Sequence, residues 1–296
     1  MEDRVNRYAH LLHSIFHSIH HTKSDFKTVE SYLHYRRTQI DPFVYASLNS
    51  LYGSVFRDSW NTTPIPFTSN KAIVFVERRC HPNLEFCLHN AAYYARGYAM
   101  YIFCSKSNLD YIKHICGSQL PNIHIYVSFH TMGTAEEGKI HYNQMLKNES
   151  FWNIFKEDAI ITMETDCYLK KPIPSSIEEY DYVASKWSWN ITEPGGGGLT
   201  YRKRSMMNKI CSLKNPALES IPMQDCYASK GCVAINAKTP TLKDSAQYFT
   251  ESIISNQACG VHQWWTFHNL PSIDLLKMYL QCDLLSSSSP TTAERV

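Results

Sequence analysis

The sequence predicts an α/β protein in which a mostly parallel central sheet is flanked by helices and preceded by a helical N-terminal segment. Two observations predict this fold class. Short apolar runs rich in β-branched residues alternate with helical patterns between residues 71 and 127, and an amphipathic pattern opens the chain. This alternation is typical of parallel strands joined by helical crossovers, whose ligands gather at the carboxyl ends of the strands.

The N-terminal segment, residues 1–65, is predicted to be helical. From Val5 to Ile19, apolar residues recur every three or four positions, which places them on one helix face. Residues 61–69 are rich in Thr, Pro, Ser and Asn and are predicted to connect this segment to the main domain. If the main domain leaves the apolar face uncovered, a homodimer formed through this helix would bury it.

The main domain is predicted to span residues 66–275. Its first strands are predicted at Ala72–Val76, Tyr98–Cys104 and Ile123–Val127, and its first helices after Pro82 and at Leu109–Cys116. Residues 276–296 are predicted to form a C-terminal tail. The end of this tail, from Ser286, is predicted to be disordered because Ser and Thr dominate it without an apolar period.

Composition narrows the class of protein. Of 296 residues, 44% are hydrophobic and 19% are charged, as in soluble globular chains that bury a sizeable core. A net charge of +2 without long Lys or Arg runs argues against a nucleic-acid partner. We find neither an apolar run of about 18 residues, as a membrane span needs, nor a signal-peptide pattern, so a cytoplasmic protein is expected.

The strongest local signal is an acidic motif at the end of an apolar run. Ala159–Met163 leads directly into Glu164, Thr165 and Asp166. Two carboxylates at positions i and i+2 past a strand end can hold Mg²⁺ or Mn²⁺, which would bridge the phosphates of a nucleotide and neutralise a leaving group. Acidic pairs of this kind are common, and a strand-end carboxylate can simply cap the next turn. Glu164 and Asp166 are therefore a candidate metal site that needs support from elsewhere in the chain.

A run of four glycines, Gly195–Gly198, follows downstream, between a strand predicted at Tyr180–Ala184 and another that begins near Leu199. The run lacks the spacing of a dinucleotide-binding fingerprint or a P-loop. We predict a loop at which backbone approaches a ligand closely, with Gly196 and Gly197 as binding residues. The alternative is a surface linker.

Further short motifs accompany these two in a fixed order: Val76-Glu77-Arg78 with His81-Pro82, Tyr142-Asn143 with Phe151-Trp152, Tyr180–Val183, Leu199–Arg202, Gln224-Asp225-Cys226 and Gly260–Trp265. In this order, and with Glu164–Cys167, they resemble the glycosyltransferase-like proteins of giant DNA viruses and some bacteria, which have the GT-A type of fold. The resemblance covers roughly residues 71–269 and leaves out the first 65.

The resemblance implies a GT-A-like domain with glycosyltransferase activity. The donor would be a nucleotide-diphosphate sugar, with UDP favoured over GDP, and the acceptor a hydroxyl of a glycan, protein or lipid. The implied cofactor is Mn²⁺ or Mg²⁺. If the protein is viral, the host cytoplasm or a viral factory is its expected location.

The resemblance also implies roles for individual residues. Asp166 would bind the metal, with Glu164 sharing the ion or lying behind the ligands, and His262 would be a further metal or pyrophosphate ligand. Asp225 would be the base that removes the acceptor proton in an inverting reaction. For Asp225 the competing role is the N-cap of a following helix. A retaining mechanism also stays open.

The remaining predicted donor-site residues are Glu77 and Arg78, at the nucleobase and ribose, together with Thr165 and Arg202. An ordinary strand-end ion pair is the alternative for Glu77 and Arg78, and a solvated charge is the alternative for Arg202.

Two other functions stay open at this point. Gln224 stands where the family has the first carboxylate of an acidic pair, which keeps open a non-catalytic nucleotide- or glycan-binding protein of the same fold. A sugar-phosphate nucleotidyltransferase should carry a basic, Gly-rich loop after the first strand, and residues 77–82 contain no glycine. The sequence does not identify the sugar, the acceptor, the stereochemical outcome or the oligomeric state.

Overall fold

The structure, a computed structural model, describes residues 1–130 and 133–285. Its strands are β1 (Lys71–Val76), β2 (Ala99–Ser105), β3 (Ile123–Phe129), β4 (Ala159–Met163), β5 (Cys167–Leu169), β6 (Tyr182–Ser185), β7 (Gly196–Lys203), β8 (Phe249–Thr250) and β9 (Gly260–His262). Its α-helices are α1 (Glu2–His20), α2 (Val29–Thr62), α3 (Leu84–Tyr94), α4 (Leu109–Cys116), α5 (Ala135–Leu146), α6 (Glu149–Trp152), α7 (Arg204–Cys211), α8 (Pro216–Glu219), α9 (Gln224–Ala234), α10 (Leu242–Ser245), α11 (Trp264–Phe267) and α12 (Ile273–Leu280).

The central sheet has six strands in the order β3-β2-β1-β4-β7-β6. Strands β1 to β4 are parallel, β7 is antiparallel to β4, and β6 is antiparallel to β7. Every residue of β2 and β4 is buried, because helices cover both faces of the sheet, and this explains why these strands are continuous apolar runs without alternation. The predicted α/β fold class with a mostly parallel sheet flanked by helices is confirmed.

A second, smaller sheet has the order β5-β9-β8. Strand β5 begins directly after Asp166 and pairs antiparallel with β9, so that Cys167 lies opposite His262. Because Cys167 is adjacent to Asp166 in the chain, this register brings two residues from distant parts of the sequence to the same place.

Helix α1 has the amphipathic face that its sequence predicts. It packs against α2 and α12, and the ring of Phe16 stacks on Trp264 with centroids 5.9 Å apart. Residues of the same chain cover the apolar face, so the condition for the expected homodimer is not met. The buried residues of the face are Val5, Ala9, Leu12, Phe16 and Ile19.

Helix α2 begins at a Thr28 cap, whose side chain accepts a hydrogen bond from the Ser31 N–H. The hydroxyl of Tyr45, in the middle of α2, donates to the carbonyl of Cys167 at 3.0 Å. The N-terminal helices are therefore bonded to the strand that follows the acidic motif. Among the described residues, no helix combines the length and the apolar character needed to cross a bilayer.

The structure bears on three sequence predictions: the glycine run, the end of the main domain and the C-terminal tail. The glycine run was predicted to be a loop, and this is wrong: Gly196–Gly198 form the first residues of β7, since Gly198 accepts a hydrogen bond from the Glu164 N–H at 2.9 Å. The predicted domain end at residue 275 lies inside α12, and the domain boundaries stay a prediction. The predicted disorder from Ser286 onward falls outside the described residues.

We expect Phe16→Ala to destabilise the whole protein by about 3–5 kcal/mol, because it removes a fully buried ring between α1 and the main domain. Urea unfolding followed by circular dichroism would measure the loss. Leu11→Ala, on the same helix but 48% exposed, is the matched control and should change stability by less than about 0.5 kcal/mol. If Phe16→Ala unfolded the N-terminal helices alone, in a separate transition, they would not be an integral part of the fold.

Candidate active site

The candidate site lies at the point where the strand order of the central sheet reverses. From β1 the chain continues to β2 on one side, and β4 pairs with β1 on the other. In open α/β sheets, ligands bind outside the carboxyl ends of the strands at such a point. Glu77 follows β1 there and the acidic motif follows β4, and the Thr165 hydroxyl donates to Glu77 Oε2 at 3.4 Å.

Asp166 and His262 come together at this edge through the pairing of β5 with β9. His262 is only 3% exposed, and its Nε2 lies 3.4 Å from Asp166 Oδ1. That distance is long for a hydrogen bond, and no other described group satisfies this buried nitrogen. The Asp166 side chain is 19% exposed, so the pair opens toward the surface on the Asp166 side.

Glu251 holds the opposite edge of the His262 ring. Its Oε1 lies 2.9 Å from His262 Nδ1, and the Glu251 side chain is almost fully buried. The two carboxylates favour a protonated ring, in which Nδ1–H faces Glu251 and Nε2–H faces Asp166, and a cation at Asp166 would displace the Nε2 proton. Burial alone lowers the pKa of His262, but the charges of Asp166 and Glu251 outweigh burial and hold it well above its usual value.

Gln263 connects these groups and has a strained backbone. Its φ of 27° lies in the left-handed region, which is unusual for a residue with a side chain. Its N–H donates to the Asp166 carbonyl at 3.0 Å, and its side-chain amide donates to Glu251 Oε1 at 3.3 Å. Its amide oxygen accepts from Arg37 at 3.5 Å. Several partners thus fix Gln263 in a conformation that would otherwise cost free energy.

The donor atoms of this cluster fit a divalent cation. Ligand atoms of Asp166, Cys167 and His262 lie within 4.8 Å of one another. Burial raises the pKa of Cys167 well above its usual value, so its sulfur stays a thiol and a weak ligand. The remaining carboxylate and imidazole suit Mn²⁺ better than Mg²⁺, which strongly prefers oxygen ligands.

Glu164, predicted to share the metal, lies beside this cluster. In the described part of the chain, the group of converging ligand atoms does not include it. Burial and the neighbouring Asp166 raise the pKa of Glu164, while His262 and a hydrogen bond from the Tyr142 hydroxyl act in the opposite direction. Glu164 is therefore a partly buried carboxyl group that lines the site.

The glycine run makes room for these side chains. Gly197 has a φ of 108°, and a Cβ at this position would lie 2.8 Å from His262 Nδ1. A Cβ at Gly198 would lie 2.9 Å from both Glu164 Cδ and His262 Nε2. Strand β7 can therefore pass directly beneath the candidate metal ligands only because its first residues lack side chains.

Asp225 lies in the first turn of α9, and its Oδ2 accepts a hydrogen bond from the Gly197 N–H at 3.2 Å. The N-cap of α9 is Met223, so the alternative role of Asp225 as the cap is wrong. A Cβ at Gly196 would lie 2.8 Å from Asp225 Cβ. The glycine residues at the start of β7, Gly196–Gly198, are called the glycine strand below. This strand has the candidate base on one side and the candidate metal ligands on the other.

Arg202, predicted to bind the donor, is completely buried. Its guanidinium lies between the rings of Trp152 and Tyr182, 5.8 and 5.7 Å from their centroids, and it donates to the Gln224 side-chain oxygen. No atom of Arg202 is available to a diphosphate in this arrangement. The contact also gives Gln224 a structural role as the neutral partner of a buried cation.

Glu77 and Arg78, which follow β1, bond to different parts of the protein. Glu77 accepts hydrogen bonds from the backbone N–H, Nε and Nη2 of Arg79, at 2.9, 2.8 and 2.7 Å. Glu77 therefore forms an ion pair at the strand end, but with Arg79 and not with Arg78. Arg78 instead turns toward α5 and donates to the Thr134 carbonyl at 2.7 Å. Arg79 remains half-exposed, and sequence reasoning missed it.

Helix α2 forms a wall of the site that the sequence did not predict. Asp41 accepts a hydrogen bond from the Asn83 side chain at 2.8 Å, and Asn83 also donates to the Thr165 carbonyl at 3.3 Å. One turn earlier, Arg37 contacts Gln263, and its charge helps to lower the pKa of Asp166. The N-terminal helical segment thus contributes charged groups of both signs to the site.

The chain resembles known proteins in part of its sequence and in its fold. The model of a family described as protein of unknown function (DUF5672) matches residues 128–263, which is less than half of the chain. No curated protein matches. Among solved structures, the apo-form glycosyltransferase GlyE of Streptococcus pneumoniae TIGR4 is similar at 9% identity and a TM-score of 0.43, over 71% of this chain and 62% of that chain.

Two further solved structures are similar. The PaToxG glycosyltransferase matches at 9% identity and a TM-score of 0.36, over 66% of this chain and 79% of that chain. A cytidylyltransferase from Leptospira borgpetersenii matches at 13% identity and a TM-score of 0.31, over 51% of this chain and 68% of that chain. The chain spans less than two thirds of the length of the pneumococcal enzyme. These likenesses describe an architecture and do not assign an activity.

We expect Asp41→Asn to stabilise the protein near neutral pH. Burial raises the pKa of Asp41 to about 6, with the Asn83 hydrogen bond opposing this and the charge of Asp166 adding to it. In the unfolded chain this carboxyl group loses its proton at about pH 4, whereas in the folded protein it keeps the proton up to about pH 6. The free energy of unfolding of the wild type therefore falls as the pH rises from about 4 to about 6 and stays lower above that. The variant should gain about 1–2 kcal/mol at pH 7.5 and nothing at pH 4.

Urea unfolding at both pH values would measure this difference. Asp110→Asn is the matched control, because Asp110 is fully exposed on α4, and it should change stability by less than about 0.5 kcal/mol at either pH value. A pH-independent effect of Asp41→Asn would mean that the carboxyl group of Asp41 ionises normally in the folded protein.

Proposed function

We propose that the protein is a metal-dependent glycosyltransferase of the GT-A type. It moves a sugar from a nucleotide-diphosphate donor, with a UDP-sugar favoured, to a hydroxyl acceptor. The observation that carries this proposal is the buried Nε2 of His262, which lies 3.4 Å from Asp166 at the carboxyl edge of β4 but makes no well-aligned hydrogen bond. A buried nitrogen without a hydrogen-bond partner costs free energy, which a bound cation would offset.

Asp166 and His262 would hold the cation, with Glu251 orienting His262 from behind. When bound, the cation would supply positive charge that stabilises the departing diphosphate. Mn²⁺ is the favoured ion because one ligand is an imidazole, and Mg²⁺ is the alternative. Glu164 is proposed to line the site, where its hydrogen bond with Tyr142 fixes the wall next to Asp166.

The arginines at the edge of the site would contact the phosphates of the donor. Arg79 is half-exposed and held in place by Glu77, and Arg37 reaches the site from α2. A guanidinium group provides paired donors that match phosphate oxygens. Thr165 is buried between β1 and β4, where it would help to shape the floor beneath the nucleotide.

Asp225 is proposed as the base of an inverting reaction. The acceptor hydroxyl would lose its proton to Asp225 as its oxygen forms a bond to the anomeric carbon of the donor sugar. The bond from that carbon to the phosphate oxygen would break at the same time, and the nucleoside diphosphate would leave with the bonding electrons. The hydrogen bond from the Gly197 N–H would hold the Asp225 carboxylate in place for this step.

Gln224 gives little support to a non-catalytic binding protein. Its side chain is 4% exposed and bonds to Arg202 in the interior, so it is directed away from any ligand. An acidic residue at this position would serve Arg202 and not the acceptor. The relationship to proteins of giant DNA viruses, and with it a location in the host cytoplasm or a viral factory, stays a prediction.

The proposal predicts metal-dependent nucleotide binding. Calorimetric titration with UDP and with GDP should detect binding of one nucleotide in the presence of Mn²⁺ and little without it. Asp166→Ala should lose the nucleotide binding that Mn²⁺ supports, because the substitution removes the partly exposed carboxylate of the Asp166–His262 pair. The absence of nucleotide binding under every condition would refute the transferase proposal.

Glu251→Gln separates metal binding from folding in the same experiment. The substitution keeps the size of the side chain but removes the charge behind His262, so Mn²⁺ affinity should fall roughly tenfold. Electron paramagnetic resonance of free Mn²⁺ measures this directly. Glu178→Gln, in a partly exposed ion pair with Lys71, is the matched control and should leave Mn²⁺ affinity unchanged.

The proposal also predicts the effect of removing the base. Asp225→Asn should lower kcat by roughly 10²–10⁴-fold once a donor and acceptor are known, because the acceptor proton loses its destination. Affinity for the nucleotide with Mn²⁺ should stay the same, since Asp225 lies on the far side of the glycine strand. Release of free UDP from the donor, measured without acceptor, would show whether the variant still binds the donor productively. Full transfer activity in Asp225→Asn would rule out this base.

A further inference from the structure

The loop between β6 and β7 presents an unusual tryptophan. Trp189 is 62% exposed, although it lies on a tight turn in which the Asn190 N–H donates to the Trp187 carbonyl at 3.1 Å. The Ser188 N–H donates to the Ser252 hydroxyl at 3.0 Å, which ties the turn to the residue next to Glu251. A large aromatic side chain is thus held on the surface by an ordered backbone.

Aromatic rings connect Trp189 to the proposed active site. The indole of Trp189 is nearly parallel to that of Trp187, with centroids 6.0 Å apart and planes at 13°. Trp187 is buried, and its ring touches the position that a Cβ of Gly196 would occupy. Asp225 Cβ lies 2.8 Å from that same position. Phe267 lies 5.7 Å from the Trp189 centroid, with its plane tilted by 37°.

We propose that Trp189 is the platform on which a sugar ring of the acceptor stacks, so that the acceptor of this enzyme is a saccharide. The inference rests on the glycosyltransferase function proposed above and specifies its acceptor. A pyranose ring has a face of C–H groups that packs on an indole plane, while its hydroxyls need polar partners at the rim. The exposed indole of Trp189 provides such a plane, and the buried indole of Trp187 connects it to the Gly196 position beside Asp225.

The surroundings of Trp189 favour a sugar over a lipid or a peptide. Ser188, Asn190 and Thr192 lie on the same loop, and the Thr192 hydroxyl already donates to the Asn190 side chain at 2.8 Å. Hydroxyl and amide groups beside a single exposed ring match the alternating character of a saccharide. An acyl chain would need a continuous apolar groove, whereas polar residues alternate with Trp189 and Ile191 along this loop.

The test is binding of fluorescently labelled full-length protein to an array of immobilised hexose, N-acetylhexosamine and deoxyhexose oligosaccharides, with UDP and Mn²⁺ present. The wild type should bind a defined group of these saccharides. Trp189→Ala should weaken that binding roughly tenfold or more, and Trp189→Phe should retain part of it, because a smaller aromatic plane remains. The exposed position of Trp189 means that neither variant should unfold.

Phe67→Ala is the matched control. Phe67 is also an exposed aromatic residue, at 51%, but it stacks on His124 in the connector before β1 and should leave saccharide binding unchanged. If Trp189→Ala bound saccharides as well as the wild type does, or if the wild type bound none, the inference would be overturned. Calorimetry of UDP with Mn²⁺ on the same preparations separates this result from failure of the proposed function: intact nucleotide binding would leave the transferase proposal standing.

Discussion

The register between β5 and β9 is the constraint on which the candidate site depends. It places Cys167 opposite His262, and therefore sets the imidazole beside Asp166, although about a hundred residues separate them in the chain. A shift by one residue would turn His262 to the other face of the small sheet, because successive side chains of a strand alternate. Glu251 and Gln263 reinforce the register, since both bond to groups at the same end of β9.

The sequence predicted those parts of the fold that consist of contiguous signals. The apolar run Ala159–Met163 forms a buried strand that ends at Glu164, as its sequence predicts, because a parallel strand covered on both faces is apolar throughout. Glu251, Arg37 and Arg79 were missed, since each reaches the site from a separate element and carries no motif of its own. The glycine run was assigned to a loop because glycine usually interrupts strands, and here its function is to let neighbouring side chains approach the strand.

Several charges are buried together here, and this arrangement is costly without a ligand. His262 lies between two carboxylates, the partly buried Glu164 lies nearby, and Gln263 adds backbone strain. Natural proteins concentrate such costs at functional sites, where binding compensates for them. Away from this cluster, the buried guanidinium of Arg202 contacts protein groups: it lies between two aromatic rings and donates a hydrogen bond to the amide oxygen of Gln224.

The candidate site is divided unevenly along the chain. The stretch that matches the family of unknown function, residues 128–263, contains the acidic motif, the glycine strand, Asp225, Glu251 and His262. Strand β1 with Arg79, and helix α2 with Arg37 and Asp41, lie before it. A protein that shared only the matched stretch would inherit the residues proposed to hold the ion and to act as base, but not Arg37, Asp41 or Arg79. The proposed ion ligands and the proposed nucleotide contacts could therefore evolve at different rates.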